Sequence, residues 1–213
     1  MLAKGNFLLA LWLCVGPIDC FIQIQGVNKL QTAGKRRQGP HRLPACSSTS
    51  AKMATSGIVE DKLKQLDITL PEVAPAGNYV MYRRSGDTLY MSGHLPKASD
   101  GTLTTGKVGL DLEVEQAAKA ARLVAINLIT TMKAAAGDLD KIRLVKITGF
   151  VHSANDFTGQ SAVLNGASDL FMEVFGHENG AHARSAVGVN ALPLGVCVEI
   201  EAIVEVVASE KAG

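Results

Sequence analysis

From Ala183 to Val207 the chain reads ARSAVGVNALPLGVCVEIEAIVEVV, two strand-like runs joined by a short turn built on Pro193 and Gly195. In the second run the charges Glu199, Glu201 and Glu205 are all odd-numbered, and the period of two along a strand sets them on one face. Their even-numbered neighbours, Val196, Val198, Ile200, Ala202, Val204 and Val206, form an opposite apolar face that must be covered. This requirement commits the chain to a sheet with one buried side. Cys197 falls on the glutamate side of the alternation, where it reads as a small structural residue. The stretch also holds a single cation, Arg184, among Ala, Ser, Val and Gly, too small and apolar a neighbourhood for an ordinary solvated side chain. A guanidinium placed there needs a partner, because burying one alone is too costly.

The rest of the chain supplies the cover. Residues Ile58 to Leu70 allow a short helix and an extended entry strand, and Tyr79 to Met91 (YVMYRRSGDTLYM) reads as a hairpin turning at Ser85-Gly86-Asp87. Between Glu113 and Ala136, apolar residues recur at helical spacing (Val114, Ala117, Ala118, Ala121, Val124, Ala125, Leu128, Met132), with Gly137 as a natural stop. Arg143 to Val151 is a strand, and residues 153–156 offer caps for a helix ending near Phe175 at Gly176. The apolar stripe of that helix is Phe157, Leu164, Ala167, Phe171, Val174 and Phe175. The expected order is β-β-α-β-α-β-β, an α+β domain in which one sheet, closed by a final hairpin, carries two helices on one face.

Charge and cysteine usage both change near residue 52. Residues 1–52 hold seven Lys and Arg against the single acid Asp19, leaving 14 basic and 19 acidic residues from Met53 to Gly213, net −5. Cys14, Cys20 and Cys46 lie in the first part and only Cys197 in the second, which excludes a disulfide framework in the folded domain. Phe7 to Val15 (FLLALWLCV) has the length of a signal-peptide core and is too short to span a bilayer. The basic, acid-free run from Phe21 to Lys52 has the composition of an organelle transit peptide. Residues 1–52 are therefore expected to be a targeting leader, removed to give a mature protein without a membrane segment. Residues 53–213 form the single domain. A two-part leader with Phe21 at its junction resembles those of plastid proteins, with the mitochondrion as the second destination. The alternative is a start at Met53 and a cytoplasmic protein.

An arginine offers a planar fork of donors at any physiological pH and suits two-point capture of a carboxylate. Residue spacing alone leaves Arg184 equally open to an ion pair with Glu199, Glu201 or Glu205 across the final hairpin. Glu199, beside an apolar wall, can relay a proton to or from water. Tyr79 and Ser92 add hydroxyls near the same sheet. The histidines show no zinc spacing: His177 and His182 are five apart, His94 and His152 stand alone, and all four read as polar loop residues, so no metal site is indicated. Phosphate-cradling, dinucleotide and nucleophile-elbow motifs are missing from the sequence.

Residues Gly86 to Gly93 (GDTLYMSG), Asn155-Asp156-Phe157, Ala183-Arg184-Ser185, Leu192-Pro193 and Val198 to Ala202 (VEIEA) resemble, in order and spacing, the Rid (YjgF-like) family over about residues 74–207. The resemblance implies a chorismate-mutase-like fold and a homotrimer with sites in clefts between subunits. It also implies cofactor-free hydrolysis of reactive 2-imino acids and their enamine tautomers, 2-iminopropanoate, 2-iminobutanoate and 2-aminoacrylate among them, to 2-oxo acids and ammonia. Carried over by position, Arg184 binds the carboxylate, Glu199 attends the water, Tyr79 and Ser92 belong to the active site, and Gly93 is a backbone contact. Asn165 matches a family asparagine if the extra turn of its helix lies before it. Ala186 stands where many members have cysteine, so any binding there runs through backbone, and His94 replaces a usual glutamine. The alternatives are a non-catalytic carboxylate-binding or regulatory trimer and the ribonuclease activity attributed to the family. The net charge of −5 disfavours the latter, since nucleic-acid binding relies on clustered cations and Arg83-Arg84 is the one basic pair of the domain.

Overall fold

The computed structural model describes residues 57–75 and 77–207. The leader expected over residues 1–52 and the alternative start at Met53 lie outside the described residues. The elements are α1 (Ile58–Gln65), β1 (Tyr82–Ser85), β2 (Thr88–His94), α2 (Val114–Ala136), β3 (Ile142–His152), α3 (Gln160–Gly180), β4 (Ala183–Val189) and β5 (Val198–Val206). After α1 the order is the expected β-β-α-β-α-β-β of an α+β domain. The entry strand expected near Leu70 does not form. Leu66, in the turn that ends α1, and Ile68 and Leu70 after it instead pack against the core without strand pairing.

Local signals set most boundaries. Gly86, at φ 59°, and Asp87 turn β1 into β2 with Ser85 opposite Thr88. Glu113 and Gln116 close a reciprocal capping box at the start of α2, and Gly137 ends it in the left-handed conformation at φ 76°. Gly176 (φ 72°, ψ 175°) interrupts α3 one residue past Phe175, where its apolar stripe ends. The start of α3 departs from expectation. Its N-cap is Gly159 rather than one of residues 153–156, because Ser153 and Ala154 are held by backbone bonds to Val189 and Val108. Phe157 therefore precedes the helix and packs beside the core.

The larger correction concerns the last two strands. The sheet order is β1-β2-β5-β3-β4, so β5 lies between β2 and β3, antiparallel to both, and β4 is an edge strand parallel to β3. β4 and β5 do not form a hairpin. The physical reason is burial: Val198, Ile200, Ala202 and Val204 are all buried, and only an interior position with α2 and α3 on one side hides all four. Cys197 also differs from expectation. It precedes β5, its N–H donates to the Thr104 carbonyl, its own carbonyl accepts from His152 N–H, and its side chain is buried rather than on the glutamate face.

The helices cover one face and come close to each other and to the sheet. A Cβ at Gly166 of α3 would run into the Ala118 carbonyl of α2, and one at Gly149 of β3 would meet the Leu164 side chain. Among the described residues, no helix covers the other face of the sheet. Across it run the rows Glu199, Phe150, Val187 and Tyr90, Ile203, Lys146, defined by the strand registers.

Candidate functional site

The residues singled out by sequence fall into two groups. The first is built on an irregularity between β2 and β5. Met91 pairs with Ala202 and His94 with Ile200, so three steps along β2 match two along β5, and the extra residue makes a bulge at Ser92-Gly93. The bulge is tied on both sides. Ser92 N–H and Oγ donate to the carbonyls of Met81 (2.9 Å) and Val80 (2.7 Å), which anchors the segment entering β1. The carbonyl of Ser92 accepts from Nδ1 of His94 at 2.7 Å, and His94 Nε2 lies 2.7 Å from Thr131 Oγ1 on α2. His94 is therefore a buried strand residue and not a polar loop histidine. Burial holds its pKa below the ordinary value, against the opposing pull of the Ser92 carbonyl.

Glu199 lies over this bulge. An added Cβ at Gly93 would collide with the Glu199 carboxylate, so the glycine is what lets that carboxylate rest against the strand. Glu199 is half-buried, and burial raises its pKa above the ordinary carboxylate range, with the charge of Glu201 adding in the same direction. Tyr79 is half-exposed and lies just before the strand it was expected to begin; β1 starts at Tyr82. Tyr79 and Gly93 share a cleft of about 800 Å3 with Met81, Leu95, Leu103 and residues 71–75. Glu199, Ser92 and Arg184 are not among its lining residues.

The second group centres on Arg184 in β4. Its register partner Ile147 is buried beneath the helices, and its guanidinium turns the same way, onto α3. Nη1 donates to Asn165 Oδ1 and to Ser168 Oγ, both at 3.0 Å. Asn165 is thus brought to Arg184 despite the longer helix. Ala186 follows two residues later on the same face, opposite Gly149 and packed against the core. Ser168 Oγ also lies 3.0 Å from Nε2 of His182, whose Nδ1 lies 2.7 Å from the Gly180 carbonyl. Phe171 meets the imidazole edge-on at a centroid distance of 5.8 Å. Burial lowers the pKa of His182; the Gly180 carbonyl opposes this and the Arg184 charge reinforces it.

Ser168 and the role of His182 were missed in the sequence. The usable signal is the three-residue step from Asn165 to Ser168, which places both on one face of a helix. The ion pair left open between Arg184 and a β5 glutamate is excluded. Glu199 lies on the open face, since its neighbours Val198 and Ile200 are buried under the helices, whereas Arg184 lies on the helix side with β3 between the two strands. Glu205 pairs with Arg143 of β3 instead, at 3.5 Å. From β4 to β2 there are three strand spacings, about 14 Å. One chain therefore carries two separated half-sites: an arginine fork at one sheet edge, and a carboxylate over a bulge on the opposite face.

Comparison with known proteins identifies the family. The profile of the endoribonuclease L-PSP family matches residues 69–206, close to the span expected from the motifs. Protein TCP17 of Trypanosoma cruzi is 50% identical over 155 residues, covering 72% of this chain and 97% of that protein. A crystal structure of a protein of unknown function from Agrobacterium tumefaciens is 49% identical with a TM-score of 0.64, covering 70% of this chain and 94% of that one. Another, a candidate endoribonuclease from Shewanella oneidensis MR-1, is 33% identical with a TM-score of 0.67 and covers 70% and 99%. The fold, the matched span and these relatives agree: the chain belongs to the endoribonuclease L-PSP family, the YjgF/Rid family.

Proposed function

We propose that the protein hydrolyses 2-imino acids and their enamine tautomers to 2-oxo acids and ammonia, without a cofactor, at sites shared between copies of the chain in a homotrimer. The observation that carries this reading is the division of the site. Both Nη1 hydrogens of Arg184 are engaged by Asn165 and Ser168, which leaves the Nε and Nη2 edge as a two-point fork for a carboxylate. The group suited to proton transfer, Glu199, is on the other face of the sheet, on β5 two strand spacings from β4, with its carboxylate lying over Gly93 of β2. A molecule of three or four carbons cannot bridge them within one chain. A second copy presenting its Gly93-Glu199 notch to this Arg184 can. The open face offers apolar area for association, including Tyr90 and Val187.

The chemistry asks little of the protein beyond position. Water adds to the electrophilic carbon of the protonated C=N bond, and the resulting carbinolamine expels ammonia to leave the 2-oxo acid. Arg184 holds the carboxylate. Glu199, whose raised pKa brings it nearer neutrality, takes a proton from the attacking water and returns it to the departing nitrogen. The hydrogen of Ser92 is already given to the Val80 carbonyl, so toward a ligand its oxygen is an acceptor, matched to an iminium N–H rather than to nucleophilic attack. Tyr79 lines the cleft together with Gly93.

The test uses an amino-acid oxidase to generate the imine and semicarbazide to trap what remains. Wild-type protein is expected to suppress the semicarbazone signal, and Arg184→Ala to lose that effect by about a hundredfold or more, the usual consequence of removing one partner of a desolvated charge pair. Equal behaviour of the two proteins would overturn the deaminase reading. Light scattering tests the assembly: an active monomer is incompatible with shared sites. The reading of a binder without chemistry draws on a relative named as a regulator, AldR of Lactococcus lactis, 32% identical over 139 residues. It predicts 2-oxo acid binding with no loss of semicarbazone.

A further inference from the structure

We propose that Ser168 and His182 act as a positioning pair that fixes the Arg184 guanidinium for its carboxylate, so that ligand affinity depends on two residues that never touch the ligand. The inference rests on the carboxylate-binding reading of Arg184 given above.

The argument is one of hydrogen-bond direction. A guanidinium can only donate, so Ser168 Oγ must accept from Nη1 at 3.0 Å. The serine hydrogen is then available for Nε2 of His182, also 3.0 Å away. For Nε2 to accept it, the imidazole must be neutral and carry its proton on Nδ1. Nδ1 lies 2.7 Å from the Gly180 carbonyl, which can only accept and so fixes that tautomer. Every proton from Arg184 through Ser168 and His182 to Gly180 therefore points the same way, an order in which each bond polarises the next. The far end of the chain is held firmly. Gly180 is buried, a Cβ there would strike the backbone of Phe171, and the Phe171 ring braces the imidazole edge-on.

The consequence falls on the fork. Asn165, which takes the second Nη1 hydrogen, is exposed at its end of α3 and cannot alone prevent the guanidinium plane from turning. Ser168 is half-buried and is itself held by His182. Together they stop rotation about the guanidinium and keep the Nε and Nη2 edge presented as a pair. β4 is an edge strand, and among the described residues no further strand lies beyond it to do this work. The arrangement supplies the preorganisation that two-point binding needs.

The experiment titrates the full chain with 2-oxobutanoate by calorimetry and follows imine hydrolysis in parallel, for wild type and for Arg184→Ala, Ser168→Ala, Ser168→Thr, His182→Leu and His182→Gln. Ser168→Ala and His182→Leu are expected each to weaken binding and raise KM about tenfold, the size of one charge-assisted hydrogen bond, with kcat changed by less than about twofold. Ser168→Thr retains the hydroxyl and His182→Gln retains an acceptor near the place of Nε2, and both should bind within about twofold of wild type. The double variant Ser168→Ala/His182→Leu should lose no more than either single one, because the two act in series. If His182→Leu does not fold, Ser168→Ala, which removes one oxygen, carries the test alone. Wild-type affinity in Ser168→Ala, with binding lost in Arg184→Ala, overturns the positioning pair and leaves the carboxylate reading standing. Wild-type affinity in Arg184→Ala overturns that reading and the pair with it. A fall in kcat and melting temperature with no change in affinity reduces both residues to structural ones and overturns the proposal.

Discussion

The two half-sites use the same side-chain device on different backbones. In each, a neutral histidine places Nδ1 on the carbonyl two residues before it and Nε2 on a hydroxyl from a helix: His94 with Ser92 and Thr131, His182 with Gly180 and Ser168. At the bulge, the histidine stiffens backbone inside the sheet, and the carboxylate of Glu199 needs only a missing Cβ at Gly93 to lie where it does. At the edge strand β4, the histidine supports a long side chain through another side chain. The difference follows from position. Interior strands are fixed by ladders on both sides, whereas an edge strand leaves a long cation to be oriented by polar contacts.

This contrast predicts different failures for the two halves. Glu199→Gln should slow imine hydrolysis by about a hundred- to ten-thousandfold, the range for loss of a general acid or base, while 2-oxo acid binding is preserved. Lost binding in this variant would show that Glu199 also shapes the carboxylate pocket. Gly93→Ala should reduce hydrolysis about a hundredfold by pushing the Glu199 carboxylate aside, with little loss of stability, since the displaced atoms end a flexible side chain. Gly166→Ala is the converse. It strikes the Ala118 carbonyl and should cost about 1–3 kcal/mol in denaturant unfolding.

Mixing Arg184→Ala and Glu199→Gln chains after unfolding and refolding them together should restore about a quarter of wild-type activity in a cyclic assembly whose sites each take one residue from each of two copies. No recovery in an assembly shown to be mixed would place both residues in the same copy's site.

A smaller effect tests the electrostatics of the bulge half. The folded-state pKa of Glu199 is raised, so its contribution favours the native state when protonated, is fully present below the unfolded carboxylate pKa and is lost as pH rises through the folded value. Glu199→Gln should therefore melt above wild type at neutral pH, the gap closing toward about pH 4. A constant gap would assign the difference to packing. Cys197 should be the quietest probe: burial pushes its thiol up to about 11, so iodoacetamide should label it only after unfolding.

Particular residues show where sequence reading succeeds and where it stops. The alternation in β5, the glycine stops at Gly137 and Gly176 and the turn at Gly86-Asp87 were legible because each is set by bonds within a few residues. The hairpin expected between β4 and β5 was not, although the two strands are adjacent in sequence. Inserting β3 between them is decided by which strands can bury their apolar faces under α2 and α3. Arg184 marks the same limit within the site. Its place among the candidates, with Glu199, Tyr79, Ser92, Gly93 and Asn165, came from the family resemblance, but the support from Ser168 and His182 did not, because those two are 14 residues apart across the break at Gly176.

The sequence by itself determined the α+β class, the boundaries of most elements, the family and the candidate residues for the proposed chemistry. The class and the boundaries follow from local backbone preference and side-chain periodicity, which act over one or two turns; the family and the candidate residues follow from the motif resemblance. Only the tertiary structure decided that Arg184 and Glu199 lie on opposite faces of the sheet, that the bulge at Ser92-Gly93 accommodates a carboxylate, and that a serine and a histidine hold the arginine. Those outcomes depend on strand order and on the directions in which side chains meet across distant segments, and no period along the chain encodes them.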